Sequence, residues 1–253
     1  MKNLTYLSIL FILILLIIGG AFATTWAPED FTCPVCNSKN TFNVVASYGT
    51  YIYQWPSKYE YIFWPLIDIN VLYSCMKCHF TVFMWDFDKV PSDKIDAVKE
   101  VLKGVKLDKD YKTYDEIPMS ERLEIAENVY KVLVEDDWFW CEFYRVMGYH
   151  YEAEGMKEKA DSARNKALTI AEQMIEKSEN EGIKKELLLI VGAMKHCLSD
   201  DKDALNAFME AMKLKYSNKD LTDEQNTNLE EYITGLLDEY IQKIEKPEKG
   251  LEE

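Results

Sequence analysis

Cys33-Pro34-Val35-Cys36 and Cys75-Met76-Lys77-Cys78 decide how the first third of this 253-residue chain folds. Two C-x-x-C pairs are typical of a tetrahedral site in which four thiolates bind one Zn²⁺. Such a site uses every side chain as a ligand and leaves none for catalysis, so it indicates a structural metal. A segment this small also buries too little apolar surface to fold without a crosslink. We therefore predict that these four cysteines bind zinc.

The sequence leaves three other uses of these cysteines open. Each pair can form a disulfide if the chain enters an oxidising compartment. Cys75-x-x-Cys78-His79 is also the attachment motif of a c-type haem, which would make the chain an electron-transfer protein. A haem there would leave Cys33 and Cys36 without a purpose. A thiol-disulfide oxidoreductase is the third alternative, but neither pair lies between a strand and a helix. Zinc binding is the preferred interpretation because both cysteine pairs then serve as ligands of the same ion.

The N-terminus has the three-part layout of a secretory signal peptide. Lys2 precedes an apolar run from Leu4 to Ile18, and Ala21-Phe22-Ala23 follows as a small-x-small cleavage site. We expect residues 1–23 to be removed and the rest to be exported to the periplasm, the cell surface or the medium. If the segment is retained, it is the one part that we expect to enter a membrane, because no later stretch is apolar and long enough.

Composition divides the remaining chain into two parts near Pro91. Residues 24–90 carry six acidic and four basic residues and 16 of the 33 aromatic residues, whereas residues 91–253 carry 38 acidic and 24 basic residues. A surface this acidic lacks the basic stripe that binds phosphate backbones, so we expect no nucleic acid partner. The expected parts are a zinc-ribbon-like β domain over 24–90, connecting helices over 91–135, helical repeats over 136–246 and a flexible tail over 247–253.

The β domain is predicted from short runs of Val, Ile, Tyr, Phe and Trp around the cysteines. These runs predict strands over residues 42–46, 51–55, 59–64, 69–73 and 81–85. Rings alternate along two of the strands and therefore share one face of each. We expect most of these rings to form the core of a small sheet and the exposed remainder to form an interaction surface. The candidates for that surface are Tyr51, Tyr53, Trp55, Tyr59, Tyr61 and Trp64.

From Pro91 onward, apolar residues recur at the spacing of helices. Ser92 and Ser120 can cap the first two helices, and Asp136 can begin a long third one. Thr222-x-x-Gln225 is a capping box for a last helix that ends near Ile244. We predict helices over about 92–103, 118–134, from 136 onward, 157–177 and 222–244.

Two stretches 44 residues apart share the spacing of small residues that is typical of tetratricopeptide repeats. Small residues at these positions let the two helices of a unit cross closely. Arg164 departs from the pattern, because Phe208 occupies the matching position of the second copy and a ring is expected there. Cys141 and Cys197 lie on the helices of the two units, either as free thiols or as a disulfide. The matching pairs are Gly148 with Gly192, Ala160 with Ala204, and Ala167 with Ala211.

The chain resembles an uncharacterised bacterial family, the domain of unknown function 2225. The resemblance rests on Cys33-Pro-Val-Cys36, on Val71-Leu-Tyr-Ser-Cys75-x-x-Cys78, on Leu187-Leu-Leu-Ile-Val-Gly-Ala-Met194 and on Asp203-Ala-x-x-Ala-Phe208. It implies a four-cysteine, zinc-ribbon-like element joined to tetratricopeptide-like helices. It implies no activity. This chain departs from the family in its leader peptide and its enlarged aromatic loop.

These observations together predict an α+β protein that is exported and is not an enzyme. The sequence contains no H-E-x-x-H motif, no nucleophile elbow and no phosphate-binding loop. Stacked helix pairs form surfaces suited to peptides or partner helices. We therefore expect a binding or assembly module for a protein or peptide partner, in which structural zinc fixes one end of the helices.

Overall fold

The computed structural model describes residues 25–48 and 57–246. The predicted leader, the predicted strand over 51–55 with its Tyr51, Tyr53 and Trp55, and the predicted tail lie outside these residues. The described part has the α+β architecture expected from the sequence, with small antiparallel sheets first and helices after them. None of the described helices combines the length and the apolar character needed to cross a membrane.

The first sheet pairs β1 (Thr25–Thr32) with β2 (Lys39–Ser47) in antiparallel register, with Thr32 opposite Lys39 next to the turn. Residues 33–38 form that turn and contain the first cysteine pair. The sequence predicted β2 but missed β1. The reason is that Pro28, Glu29 and Asp30 are residue types that strands disfavour, and a two-stranded ribbon accepts them because each strand has a free edge.

The second sheet pairs β3 (Leu72–Ser74) with β4 (Thr81–Phe83), with Leu72 opposite Phe83 and Ser74 opposite Thr81. The second cysteine pair forms the turn between them. Both strands are shorter than predicted, because residues 69–71 form a turn and residues 84–86 form a 3₁₀ turn. The Phe42 ring of β2 stacks on the Tyr73 ring of β3 with centroids 4.2 Å apart. Aromatic packing therefore joins the two sheets into one small core.

Seven α-helices follow within the described residues. The predicted helices are all present, and the capping box at Thr222 and Gln225 forms as the sequence indicated. The cap predicted at Ser92 is wrong, because the first helix follows Lys94, and Ser120 lies inside the second helix, which follows Pro118. Asp136, Asn180 and Asp200 cap three further helices through their side-chain oxygens. The bounds are α1 Ile95–Leu102, α2 Met119–Leu133, α3 Asp137–Ala153, α4 Lys157–Lys177, α5 Glu181–Cys197, α6 Asp201–Ala211 and α7 Asp223–Glu245.

Consecutive helices pack in pairs, α3 with α4 and α5 with α6. A Cβ atom at Gly192 would lie 2.2 Å from Cε1 of Phe208, and a Cβ atom at Gly148 would lie 2.8 Å from Cγ of Arg164. The two close approaches join residues with the same separation along the chain. Arg164 therefore occupies the place in the first pair that Phe208 occupies in the second, as the sequence comparison of the two stretches indicated.

Gly192 provides a test of this close packing, and Gly235 provides its control. Gly192→Ala should lower the free energy of unfolding by about 1–3 kcal/mol, because the new methyl group overlaps the fully buried Phe208 ring, which also stacks on Tyr240. Gly235→Ala should raise the free energy of unfolding by up to about 1 kcal/mol. Gly235 lies at an exposed position of α7, and no atom lies within 4 Å of the new methyl group. Urea denaturation measures both. Stabilisation by both substitutions would contradict the close crossing.

Residues 57–66, which we call the inner segment, lie against the helices and not in a sheet. The predicted strand over 59–64 is wrong, since these residues form turns and Tyr61 has a φ of 53°. Helical side chains bind its backbone carbonyls in place of a neighbouring strand. Arg145 of α3 donates to the carbonyl of Tyr61, and His150 Nε2 lies 2.9 Å from the carbonyl oxygen of Leu66. Burial lowers the pKa of His150 to about 4, so its neutral ring donates this bond.

Side chains of the inner segment also fill the space between the helices. The Tyr59 ring packs on Tyr240 of α7 with centroids 4.7 Å apart, and the Tyr61 hydroxyl donates to Glu186 of α5 at 3.2 Å. Burial raises the pKa of Tyr61, and the carboxylate of Glu186 raises it further, so Tyr61 remains a donor at neutral pH. Together with the contacts of Arg145 and His150, these side chains tie the cysteine-containing part of the chain to α3, α5 and α7.

Glu60 makes the most deeply buried polar contact of the inner segment. Its carboxylate is 1% exposed and pairs with Arg164 of α4, whose Nε donates to Oε1 at 2.9 Å. Burial raises the pKa of Glu60 and the charge of Arg164 opposes that shift. Burial by itself would lower the pKa of Arg164, but the charges of Glu60 and Cys197 and the hydrogen bonds to Glu152 and Glu60 together more than offset it, so the guanidinium stays protonated. Both groups are therefore best described as an ion pair.

Candidate metal centre

The four predicted metal ligands meet at one point between the two sheets. Their sulfur atoms all lie within 4.8 Å of one another, with 3.7 Å between Cys33 and Cys78 and 3.6 Å between Cys36 and Cys75. A tetrahedral zinc site with bonds of about 2.3 Å places its sulfur atoms about 3.8 Å apart. The donor set and its spacing thus fit a tetrahedral metal ion. Within the described residues, no other group of ligating side chains is this compact.

The two cysteine turns have the same backbone conformation. The carbonyl of Cys33 accepts a bond from the amide of Asn37 at 2.9 Å, and that of Cys75 accepts one from the amide of His79 at 2.8 Å. Asn37 and His79 both adopt left-handed backbone conformations, with φ of 58° and 60°. Asn and His tolerate that region better than most residues with a side chain. His79 therefore has a structural counterpart in Asn37. The left-handed conformation explains why a polar residue follows each cysteine pair, so a ligand bound to His79 is not needed to account for it.

Polar groups around the sulfur atoms hold the two turns together. The Ser38 hydroxyl lies 3.1 Å from the sulfur of Cys36 and 3.2 Å from that of Cys75. Asn40 donates to the sulfur of Cys75 at 3.6 Å and accepts the backbone amide of Met76 at 2.9 Å. Such second contacts fix the orientation of metal ligands. The sequence analysis missed both residues, although their positions just after the first cysteine pair were a usable signal.

The electrostatics of the cluster favour one ionised sulfur, that of Cys75. Hydrogen bonds from the neighbouring thiols of Cys33 and Cys78, and from Ser38, lower the pKa of Cys75 well below the value of a free thiol. The thiolate at Cys75 in turn raises the pKa of Cys33 to about 12. Hydrogen bonds with Cys33 and Cys75, together with burial, raise the pKa of Cys78 well above that of a free thiol, and the backbone amide of Phe80 offsets only part of this rise. A divalent cation would supply the positive charge that lets the remaining thiols ionise.

All six cysteines of the chain lie in the described residues and are free thiols. The two that lie outside the cluster have separate partners. Cys141 donates to the carbonyl of Ala167 at 3.7 Å, whereas Cys197 donates to the carboxylate of Glu60 at 3.6 Å. Burial raises the pKa of both thiols, so neither is activated as a nucleophile.

The structure corrects part of the predicted aromatic interaction surface. Tyr59 and Tyr61 are 8% and 7% exposed, because the helices cover them, and they are removed from that surface. Trp64 is half-buried, and its ring centroid lies 6.2 Å from that of Trp26 and 5.7 Å from that of exposed Tyr48. The sequence analysis expected most of these rings to be buried in a small sheet, but the helices that cover Tyr59 and Tyr61 begin more than 70 residues later and could not be inferred from the local pattern.

Comparison with known families places this architecture. A family model described as an uncharacterized protein conserved in bacteria (DUF2225) matches residues 27–234, which include both sheets, the cysteine cluster and most of the helices. No curated protein and no solved structure gives a significant match.

Proposed function

The chain belongs to this uncharacterised bacterial family, and from that premise we propose that it is an exported, non-enzymatic binding or assembly module built around a structural zinc ion. The observation that carries the proposal is the convergence of Cys33, Cys36, Cys75 and Cys78 within 4.8 Å of one another. When zinc is bound by all four sulfurs, no open coordination position is left for a substrate or a water molecule. The metal would then crosslink two short sheets and supply no chemistry.

The helices would act as the rigid body of the module. The matching approaches of Gly148 to Arg164 and Gly192 to Phe208 support a tetratricopeptide-like pair of repeats, with α7 as the helix that caps them. The inner segment covers one side of this stack through contacts with α3, α4, α5 and α7. A partner protein would therefore bind to another part of the surface.

Metal analysis of the purified protein tests the zinc site. We expect one equivalent of zinc in the wild-type protein and none in a Cys75→Ser, Cys78→Ser double variant, because two thiolates are too few to hold the ion. Inductively coupled plasma mass spectrometry gives the zinc concentration, and division by the protein concentration gives the number of zinc ions per chain. Cys141→Ser is the matched control, since this thiol lies outside the cluster and should leave the zinc content unchanged.

The same sample separates the proposal from its alternatives. A covalently attached haem would give a Soret band and survive denaturation, and would identify Cys75-x-x-Cys78-His79 as an electron-transfer site. Iron in place of zinc would indicate a redox centre on the same four thiolates. Full zinc occupancy in the double variant would contradict the assignment of the ligands.

A further inference from the structure

A cleft of about 360 Å³ opens where the end of β4 and the 3₁₀ turn after it meet α2 and α3. We call it the Trp85 cleft. Phe83, the last residue of β4, and the 3₁₀ turn after it form one wall of the cleft. Its lining is largely apolar and includes four aromatic rings, and two carboxylates lie among these residues. The residues that the argument uses are Phe83, Trp85, Asp86, Tyr130, Phe139 and Glu142.

The rings of the cleft form a fixed apolar surface. Trp85 is 37% exposed and stacks on buried Phe83 with centroids 5.1 Å apart and an angle of 21° between the planes. Tyr130 packs against Phe139 with centroids 4.5 Å apart. The Tyr130 hydroxyl donates to Asp86 at 2.7 Å and also accepts the backbone amide of Phe83 at 2.8 Å. These bonds hold the rings in place, so a ligand would not have to order them.

The charge of the cleft favours a cation. Asp86 and Glu142 are both half-buried in its wall. Glu142 forms no hydrogen bond or ion pair with any residue that the structure describes, whereas one oxygen of Asp86 is used by Tyr130. Lys89 is the single basic residue among those that line the cleft. Aromatic faces attract cations, and a desolvated carboxylate beside them adds a partner for hydrogen bonds.

We propose that the Trp85 cleft binds an arginine side chain from a basic segment of a partner protein. This proposal rests on the proposed function and names the chemistry of the partner. An arginine side chain has an apolar stem for the rings and a planar guanidinium that stacks on an indole and pairs with carboxylates through its fork of N–H groups. The volume of the cleft suits one long side chain and lies near the lower limit of small-molecule sites. The net charge of −15 would also attract a basic segment.

Fluorescence polarisation of a labelled peptide tests the proposal. The probe is a short peptide with two arginines spaced by glycines, and its control carries citrulline, which has the shape of arginine without its charge. At physiological ionic strength we expect the zinc-containing protein to bind the arginine peptide and not the citrulline peptide. Glu142→Gln and Trp85→Ala should each weaken binding by about fivefold or more, which corresponds to the loss of one cation–ring or ion-pair contact.

Glu231→Gln is the matched control. Glu231 is exposed on α7, and its substitution makes the same change in net charge far from the cleft. Equal weakening by Glu231→Gln and Glu142→Gln would show unspecific attraction and overturn the proposal. Equal binding of the citrulline peptide would overturn the proposal as well. So would displacement of the labelled peptide by arginine amide as effectively as by the unlabelled peptide, since that result would indicate a small-molecule site. Zinc content measured on the same variants keeps a failure here distinct from a failure of the metal assignment.

Discussion

Arg164→Met should lower the free energy of unfolding by about 3–5 kcal/mol, because it leaves the carboxylate of Glu60 buried without its cation. Glu60 is 1% exposed, and its Oε2 atom has no hydrogen-bond partner among the described residues, so the carboxylate depends on Arg164 for its charge compensation. Methionine fills much of the volume of the arginine, which limits the contribution from a cavity. Thermal and urea denaturation of the two proteins measure the difference.

Two further variants separate the buried charge from simple loss of packing. A Glu60→Leu, Arg164→Met double variant should regain most of the lost stability, since apolar groups of similar volume often replace a buried ion pair without cost. Lys157→Met removes an exposed ion pair with Asp161 on the same helix and should cost no more than about 0.5 kcal/mol. If Arg164→Met costs as little as Lys157→Met, Glu60 is not a buried charge.

The pH dependence of Arg164→Met follows from the same burial. The pKa of Glu60 is raised above the ordinary value of 4.5 in the folded protein, and the loss of Arg164 removes the charge that opposes this rise. The folded state then binds the proton more readily than the unfolded state, so stability falls as pH rises from about 4.5 through the folded pKa. The deficit of the variant should accordingly shrink toward acid pH, where Glu60 is neutral.

The helices could be predicted closely from the sequence because their signals are local. The Thr222 capping box, the Asp136 cap and the small residues at Gly148 and Gly192 each act within one turn or one helix pair. The cysteine cluster was equally predictable, since the spacing within each cysteine pair defines the turn that the pair forms. Chain regions whose structure depends on distant partners were not predictable in this way.

The inner segment shows why. Its alternating rings have the pattern of a strand, yet Arg145, His150 and Arg164, which lie 84 to 104 residues later, bind its carbonyls and its carboxylate. The one usable sign was Arg164 itself, a charged residue at a position where the second repeat has Phe208. A buried arginine requires acceptors, which can be backbone carbonyls, as for Arg145, or a carboxylate, as for Arg164, and the sequence does not say which of the 44 acidic residues would supply it.

Removal of the metal should loosen the sheets far more than the helices. Zinc supplies about 10–16 kcal/mol of apparent binding energy to small zinc-dependent folds, and β3 and β4 are only three residues long. The helices have other support, because α3 to α6 bury apolar residues against one another and hold the inner segment through Arg145 and Arg164. Chelation should therefore leave most of the far-ultraviolet circular dichroism of the helices intact.

Hydrogen exchange followed by mass spectrometry locates the change. After chelation, amide exchange should accelerate over residues 31–42 and 72–83, which flank the four cysteines, and should change little over α3 to α6. The inner segment should stay protected, since its amides at Tyr61, Ile62 and Leu66 donate to carbonyls within the segment and the helices, not the sheets, hold it in place. Addition of zinc should restore slow exchange in the wild-type protein but not in the Cys75→Ser, Cys78→Ser double variant. Loss of helical circular dichroism together with the sheets would instead show that the inner segment transmits the unfolding, and that metal centre and helices form one cooperative unit.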